Sequence, residues 1–305
     1  MRKAFIGKLV EIAKADPRVV LLTGDLGYTV IEPFADQFPD RFFNAGVAEQ
    51  NMVGMATGLA EAGFIPFVYS IATFASLRPY EFIRNGPILQ QLPVRIVGVG
   101  GGFDYGPAGP THYALEDLGI MRIQPGIAVI CPADHEQAAS ALQATWDLPG
   151  PVYYRIGKDD SSTIAGLNGR FNLGTAEKLR QGKDLLMVTI GSIASEAMAA
   201  AEELESDGIG CAVVVASSLN PAPQLVAALR EFPLALSVEA HYVNGGLGSL
   251  VSELIAEEGL SCRLVRCGVR TASDGMSGRE TYMNHLHGLS ASALGKTARA
   301  ALQEM

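Results

Sequence analysis

The chain has 305 residues, 48% of them apolar and 18% charged, enough apolar material for sizeable cores, and this excludes a disordered chain. Asp and Glu number 32 against 23 Lys and Arg, so the net charge is −9. With no basic cluster, binding to nucleic acid through phosphate contacts is not expected, and no apolar run reaches the roughly 18 residues that a membrane helix needs.

The first element is an amphipathic helix over 2–15, with Phe5, Leu9 and Ile12 on one face and Asp16-Pro17 ending it. It reads as part of the fold and not as a signal peptide. Continuous apolar strands follow at 19–22, 65–68, 94–99, 127–130 and 152–156, with a helix over 47–62 and another after Asp134, a good N-cap residue. Short apolar strands between helices predict a parallel sheet covered on both faces. The alternation fails across 161–182, where polar residues and glycines mark a linker. It resumes with strands at 185–190, 212–216, 234–238 and 263–267 and helices at 192–206, 222–231, 247–258 and 290–303. The fold class is therefore α/β, as two open-sheet domains, 1–160 and 183–305. Four cysteines without a C-x-x-C pair read as buried thiols of a cytoplasmic protein.

Ligands of open α/β sheets sit past the carboxyl ends of the strands, which directs attention to the loops at 23–30, 44–50, 70–80, 100–113, 157–158 and 239–248. The glycine-rich run Gly98-Val99-Gly100-Gly101-Gly102-Phe103 is no dinucleotide fingerprint, because Phe103 stands at the third glycine position. Its glycines suit close backbone approach, and the loop continues to Gly109-Pro110-Thr111-His112. Glu49 opens a predicted helix, where an acid complements the dipole. Partly buried there, it could also exchange a proton with a ligand. Phe74 and Tyr80 are either core residues or flank a flat heterocycle. No Ser/His/Asp signature is present.

Taken together in order and spacing, Gly46-Val47-Ala48-Glu49-Gln50, Thr73-Phe74, Gly109-Pro110-Thr111-His112 and Val238-Glu239-Ala240-His241 before Gly245-Gly246-Leu247-Gly248 resemble the C-terminal half of transketolase, a thiamine-diphosphate enzyme. The resemblance covers roughly residues 1–300. It implies a pyrimidine-binding domain followed by the family's C-terminal domain. Glu49 then matches the glutamate that hydrogen-bonds the aminopyrimidine ring. Phe74 matches the aromatic that stacks on that ring, and Tyr80 a tyrosine nearby. Asp25 lines the cofactor site, and His112 contacts donor hydroxyls and assists proton transfer.

Thiamine-diphosphate enzymes hold Mg²⁺ and the diphosphate through a Gly-Asp-Gly followed later by Asn, and this chain has no Gly-Asp-Gly. The resemblance thus implies one subunit of a split transketolase. A partner subunit would carry the diphosphate-binding motif and the Mg²⁺ ligands, in a heterotetramer built on a homodimer core, with sugar-type substrates. On the substrate side Arg2 and Thr29 fall at phosphate-contacting positions, and Lys158 stands where the family has arginine. Ala108 replaces an aspartate, and Gly100 a histidine. The donor chemistry is thus retained and the acceptor side altered. Two other readings stay open, the beta subunit of a 2-oxo acid dehydrogenase and a non-catalytic scaffold subunit.

Overall fold

The computed structural model describes residues 1–272 and 274–305. The first half supplies strands β1 (Val19–Thr23), β2 (Phe42–Asn44), β3 (Ile65–Ile71), β4 (Arg95–Val99), β5 (Ala128–Ile130) and β6 (Val152–Ile156). The second supplies β7 (Ala176–Arg180), β8 (Leu185–Ile190), β9 (Cys211–Ala216), β10 (Ser218–Asn220), β11 (Leu234–Tyr242) and β12 (Arg263–Val269). They form a seven-stranded sheet, β10-β5-β6-β4-β3-β1-β2, and a five-stranded sheet, β12-β11-β8-β9-β7. Both are parallel except for β10 and β7, which pair antiparallel at one edge of each. All five residues of β1, β4 and β6 are buried, as a parallel sheet with helices on both faces demands.

The helix Arg2–Ala15 and the long strands lie where periodicity puts them. Two edge strands differ from the expectation. The stretch 161–182 is not linker throughout, because Ala176–Arg180 forms β7 beside β9. Strand β10, from the second half, joins the first sheet next to β5. Asp134 caps the helix His135–Thr145 by accepting the Gln137 N–H at 2.8 Å, and its other oxygen accepts the Ile164 N–H at 2.9 Å. One carboxylate thus ends a loop and pins the connecting segment.

The halves share a core. A single apolar cluster runs from Leu118, Met121 and Val129 to Leu186, Ile190 and Leu247. Polar contacts across it centre on Arg155, at the end of β6. Its Nη2 donates to the carbonyls of Ala114 and Ala240 at 2.7 and 2.8 Å, and its Nε lies 3.0 Å from Asp117 Oδ2. Tyr153 Oη donates to the same Asp117 oxygen at 2.7 Å. Nearby, the Gly119 N–H donates to His241 Nε2 at 3.2 Å. The glycine-rich run exists for this packing. A Cβ on Gly101 would stand 2.2 Å from Arg155 Nε, and one on Gly100, whose φ is +79°, 2.2 Å from the Tyr105 ring.

The loop 100–113 also docks on the segment around Met276–His287. Phe103 stacks on His287 with centroids 5.0 Å apart, and Tyr113 Oη donates to the Met276 carbonyl at 2.5 Å. Asp104 and Glu280 share a hydrogen bond between their carboxyls. Burial raises the Asp104 carboxyl above its usual range. Burial and the adjoining Asp104 push Glu280 up to about 8. The Lys158 N–H and ammonium, Arg155, Asn284 and Glu196 surround the pair.

Two outcomes follow from these contacts. Replacing Arg155 by Leu strands Asp117 in the core and is expected to cost about 3–5 kcal/mol, while Leu at both positions recovers much of the loss. Denaturant midpoints measure this, and a double variant no better than the single contradicts it. For the carboxyl pair, the folded state holds a proton that the unfolded chain releases near its ordinary carboxylate pKa. The contact is thus fully stable at low pH and weakens as pH rises through about 8. Protection factors across 276–287, which are the intrinsic exchange rate at each pH divided by the observed rate, should fall between about pH 6 and about pH 9, and the Glu280→Gln variant should lose this dependence. Equal protection factors at both pH values would contradict the shared proton.

Candidate active site

The carboxyl ends of β1, β3, β4 and β6 open on one edge of the first sheet, because these strands are parallel. Asp25, Phe74, His112 and Lys158 lie in the loops and turns that leave this edge, and Glu49 opens the helix that follows β2.

Glu49 is the first residue of the helix Glu49–Glu61 and is 3% exposed. An acid in a first helical turn is ordinary, but a buried one must be paired. Its partner is Arg78, whose Nη1 donates to Oε2 at 3.0 Å. Phe74 sits in the short helix Ala72–Ser76, half-buried, one turn before Arg78. The Arg78 guanidinium carbon lies 4.3 Å from the Phe74 ring centroid. The His112 ring meets Phe74 edge to face at 5.1 Å, and its Nδ1 is 3.0 Å from Thr111 Oγ1. Glu49, Phe74, Arg78 and His112, drawn from three separate segments, thus form one contiguous cluster.

Asp25 and Asn44 form a separate hydrogen-bonded unit at the end of β1. The Asn44 carboxamide oxygen accepts the N–H groups of both Asp25 and Gly46 at 3.0 Å, and its Nδ2 donates to Asp25 Oδ1 at 3.0 Å. Tyr28 Oη donates to the same carboxylate oxygen at 2.9 Å. These donors, Asn44 first, hold the Asp25 carboxyl below its usual range. Asp25 and Thr29 both adopt positive φ, +56° and +69°. For β-branched Thr29 that is strained, and the Glu32 carboxylate holds it by accepting its N–H at 2.7 Å.

Arg2 and Lys158 form a second group. Arg2 Nε donates to the Lys158 carbonyl at 3.1 Å, and its guanidinium lies 3.5 Å from Asp160. The Lys158 ammonium stands 4.6 Å from the Tyr105 ring centroid. The Lys158 N–H donates to Asp104 Oδ2 at 2.8 Å, so that carboxyl is engaged within the fold. Ala108 is exposed on the turn Gly106–Ala108, two residues from the turn Pro110–His112.

Tyr80 is not brought to the cluster in the way its neighbour Phe74 is. Its hydroxyl donates to the Ile120 carbonyl at 2.8 Å and accepts from Gln124 at 2.6 Å. It braces the segment Tyr80–Ile83 against the helix Asp117–Arg122. Arg78 and Asn44 escaped the sequence reading. The i, i+4 spacing of Phe74 and Arg78 is the signal that points to a cation over the ring, given a helix there. The Asn44 contacts depend on loop conformation and leave no such trace.

The cluster combines a buried carboxylate, an aromatic face and a histidine. Arg78 shows that it accommodates a flat group with N–H donors, so these residues fit an aminopyrimidine ring. The family model for the transketolase pyrimidine binding domain matches residues 1–162, and that for the transketolase C-terminal domain matches 174–294. A protein of Methanocaldococcus jannaschii described as a transketolase C-terminal section is 37% identical over 97% of this chain and 94% of its own length. A 6-deoxy-6-sulfo-D-fructose transketolase subunit of a Clostridium species is 34% identical over 98% and 93%. A solved split-gene transketolase, an inactive beta4 tetramer, superposes with a TM-score of 0.87 at 35% identity over 99% and 98% of the two chains. Campylobacter jejuni transketolase, at 20% identity and a TM-score of 0.81 over 98% of this chain and 46% of that one, shares the fold. The chain belongs to the transketolase family and carries its pyrimidine-binding and C-terminal domains in that order.

Proposed function

We propose that this chain is the pyrimidine-binding subunit of a two-subunit, thiamine-diphosphate-dependent transketolase. It would move a two-carbon ketol unit from a ketose donor to an aldehyde-type acceptor. The observation that carries the reading is the meeting of Glu49, Phe74 and His112 at the carboxyl edge of the first sheet. The naming of similar proteins as apulose-4-phosphate and sulfofructose transketolase subunits supports it over a 2-oxo acid dehydrogenase or a scaffold.

In this reading the Glu49 carboxylate would accept an N–H from the aminopyrimidine and hold a proton there, and Phe74 would fix the plane of the ring. Thiamine diphosphate, when bound, supplies the nucleophilic carbon, and the protein supplies orientation and electrostatics. With Nδ1 beside Thr111, the His112 ring offers Nε2 to a hydroxyl of the substrate and can carry a proton to or from it. Asp25, fixed by Asn44 and Tyr28, lines the cofactor side. Arg2, Thr29 and Lys158 remain for an anionic group. The chain lacks the Gly-Asp-Gly motif, so we assign Mg²⁺ and diphosphate binding to a partner subunit, in a heterotetramer of two plus two. Four buried free thiols suit a reducing, cytoplasmic setting.

The acceptor side favours a substrate other than an ordinary 5-phosphorylated 2-hydroxyaldose. Ala108 offers no oxygen to a 2-hydroxyl, Asp104 is engaged by the Lys158 N–H, and the Tyr105 ring leaves no room for a side chain at Gly100.

The test is a ketol-transfer assay on the enzyme reconstituted with its partner. Glu49→Gln should assemble normally and lose about 10²–10⁴-fold in kcat. Turnover close to that of the unmodified enzyme would leave Glu49 as a helix-start acid only. In the same assay, acceptors lacking the 2-hydroxyl or the phosphate should match or exceed ribose 5-phosphate. A preference of about a hundredfold for ribose 5-phosphate would overturn the acceptor reading.

A further inference from the structure

Arg78 is engaged twice, and both engagements involve groups that the proposed function assigns to the cofactor ring. Its Nη1 donates to the Glu49 carboxylate at 3.0 Å, and its guanidinium lies over the Phe74 ring at 4.3 Å. A flat heterocycle held by this pair needs the same two contacts, an N–H aimed at the carboxylate and a face laid on the ring. A guanidinium is itself planar, rich in N–H donors and prone to stack on aromatic faces. The exposures of the partners differ widely. The Glu49 side chain is 2% exposed and that of Arg78 is 47% exposed. The cation therefore closes over the carboxylate from the solvent side and can swing away without repacking the core.

We propose that Arg78 is an internal stand-in for the aminopyrimidine ring. It keeps Glu49 paired and Phe74 covered until the ring enters and displaces it. The inference rests on reading Glu49 and Phe74 as ring-binding residues. Its physical basis is that a buried carboxylate without a partner is costly, so a pocket built around one needs a replacement for its ligand. The cost of that replacement is affinity. Only conformers with Arg78 swung out can take the ring, so the apparent Kd rises by the inverse of their population.

The experiment is calorimetric titration of the assembled two-subunit enzyme with thiamine diphosphate and Mg²⁺, alongside thermal melting with and without the cofactor. Arg78→Gln and Arg78→Ala should each bind the cofactor roughly three- to tenfold more tightly than the unmodified enzyme. Their rise in Tm on cofactor addition should also be larger, because the free form leaves Glu49 unpaired. Arg78→Lys, which restores the charge, should return both readouts toward those of the unmodified enzyme. Equal or weaker binding by the Gln and Ala variants overturns the proposal. Failure of both to fold also overturns it, since the pair would then be a brace for the fold. Phe74→Ala separates this inference from the reading beneath it. If that variant binds the cofactor as well as the unmodified enzyme does, the ring-binding role itself fails. If it binds worse while the Arg78 variants bind no tighter, only the stand-in role fails.

Discussion

The buried ion pair of Arg155 and Asp117 is the constraint on which the site depends. A guanidinium in a core is tolerable only when it is paired, and here Nη2 donates to the carbonyls of Ala114 and Ala240 while the Asp117 carboxylate supplies the opposite charge 3.0 Å from Nε. Ala240 belongs to β11 of the second sheet, while Ala114 ends the loop that carries His112. One side chain therefore fixes the loop to both halves of the molecule. The glycines before that loop follow from it, since a Cβ at Gly101 would overlap the guanidinium. The C-terminal domain thus acts on the site without lining the cluster, by holding the 100–113 loop through Arg155 and through the contacts of Phe103, Asp104 and Tyr113.

Within that frame the cluster is assembled from short-range geometry. Glu49 is buried because the chain enters its helix straight from the sheet's edge, and a carboxylate so placed must find a cation or a hydrogen-bond donor. Arg78 fills that need from four residues beyond Phe74, the spacing at which a cation can also cover the ring. His112 closes the group from a third segment. Asp25 and Asn44 form a separate hydrogen-bonded unit at the end of β1, with strained backbone beside it at Thr29.

Much of this was legible in the sequence, for identifiable reasons. Strands buried on both faces read as apolar runs, so β1, β4, β6, β8 and β9 stood out, as did helices whose apolar face repeats with the helical period. The capping role of Asp134 followed from its residue type. Edge strands lack such a pattern: β7 has no fully buried residue, and β10 is three residues long and pairs across the halves. That is why residues 176–180 read as linker. Short helices such as Ala72–Ser76 and Asp117–Arg122 are set by tertiary contacts and escaped notice. In the candidate site, motif order singled out Glu49, Phe74 and His112, which the structure brings together. Tyr80, singled out beside Phe74, has its hydroxyl bonded to the 117–124 segment. Arg78 was missed because its importance lies in the contacts it makes, which residue type alone does not reveal.

The pyrimidine half of the proposed site lies in this chain and the diphosphate half is assigned to another, so the central claim concerns where the cofactor can bind. Calorimetric titration of the purified chain with thiamine diphosphate and Mg²⁺, repeated after adding the partner subunit, tests it directly. The account predicts no micromolar binding by the chain alone and tight, Mg²⁺-dependent binding once the partner is present. Micromolar, Mg²⁺-dependent binding by the isolated chain would contradict it.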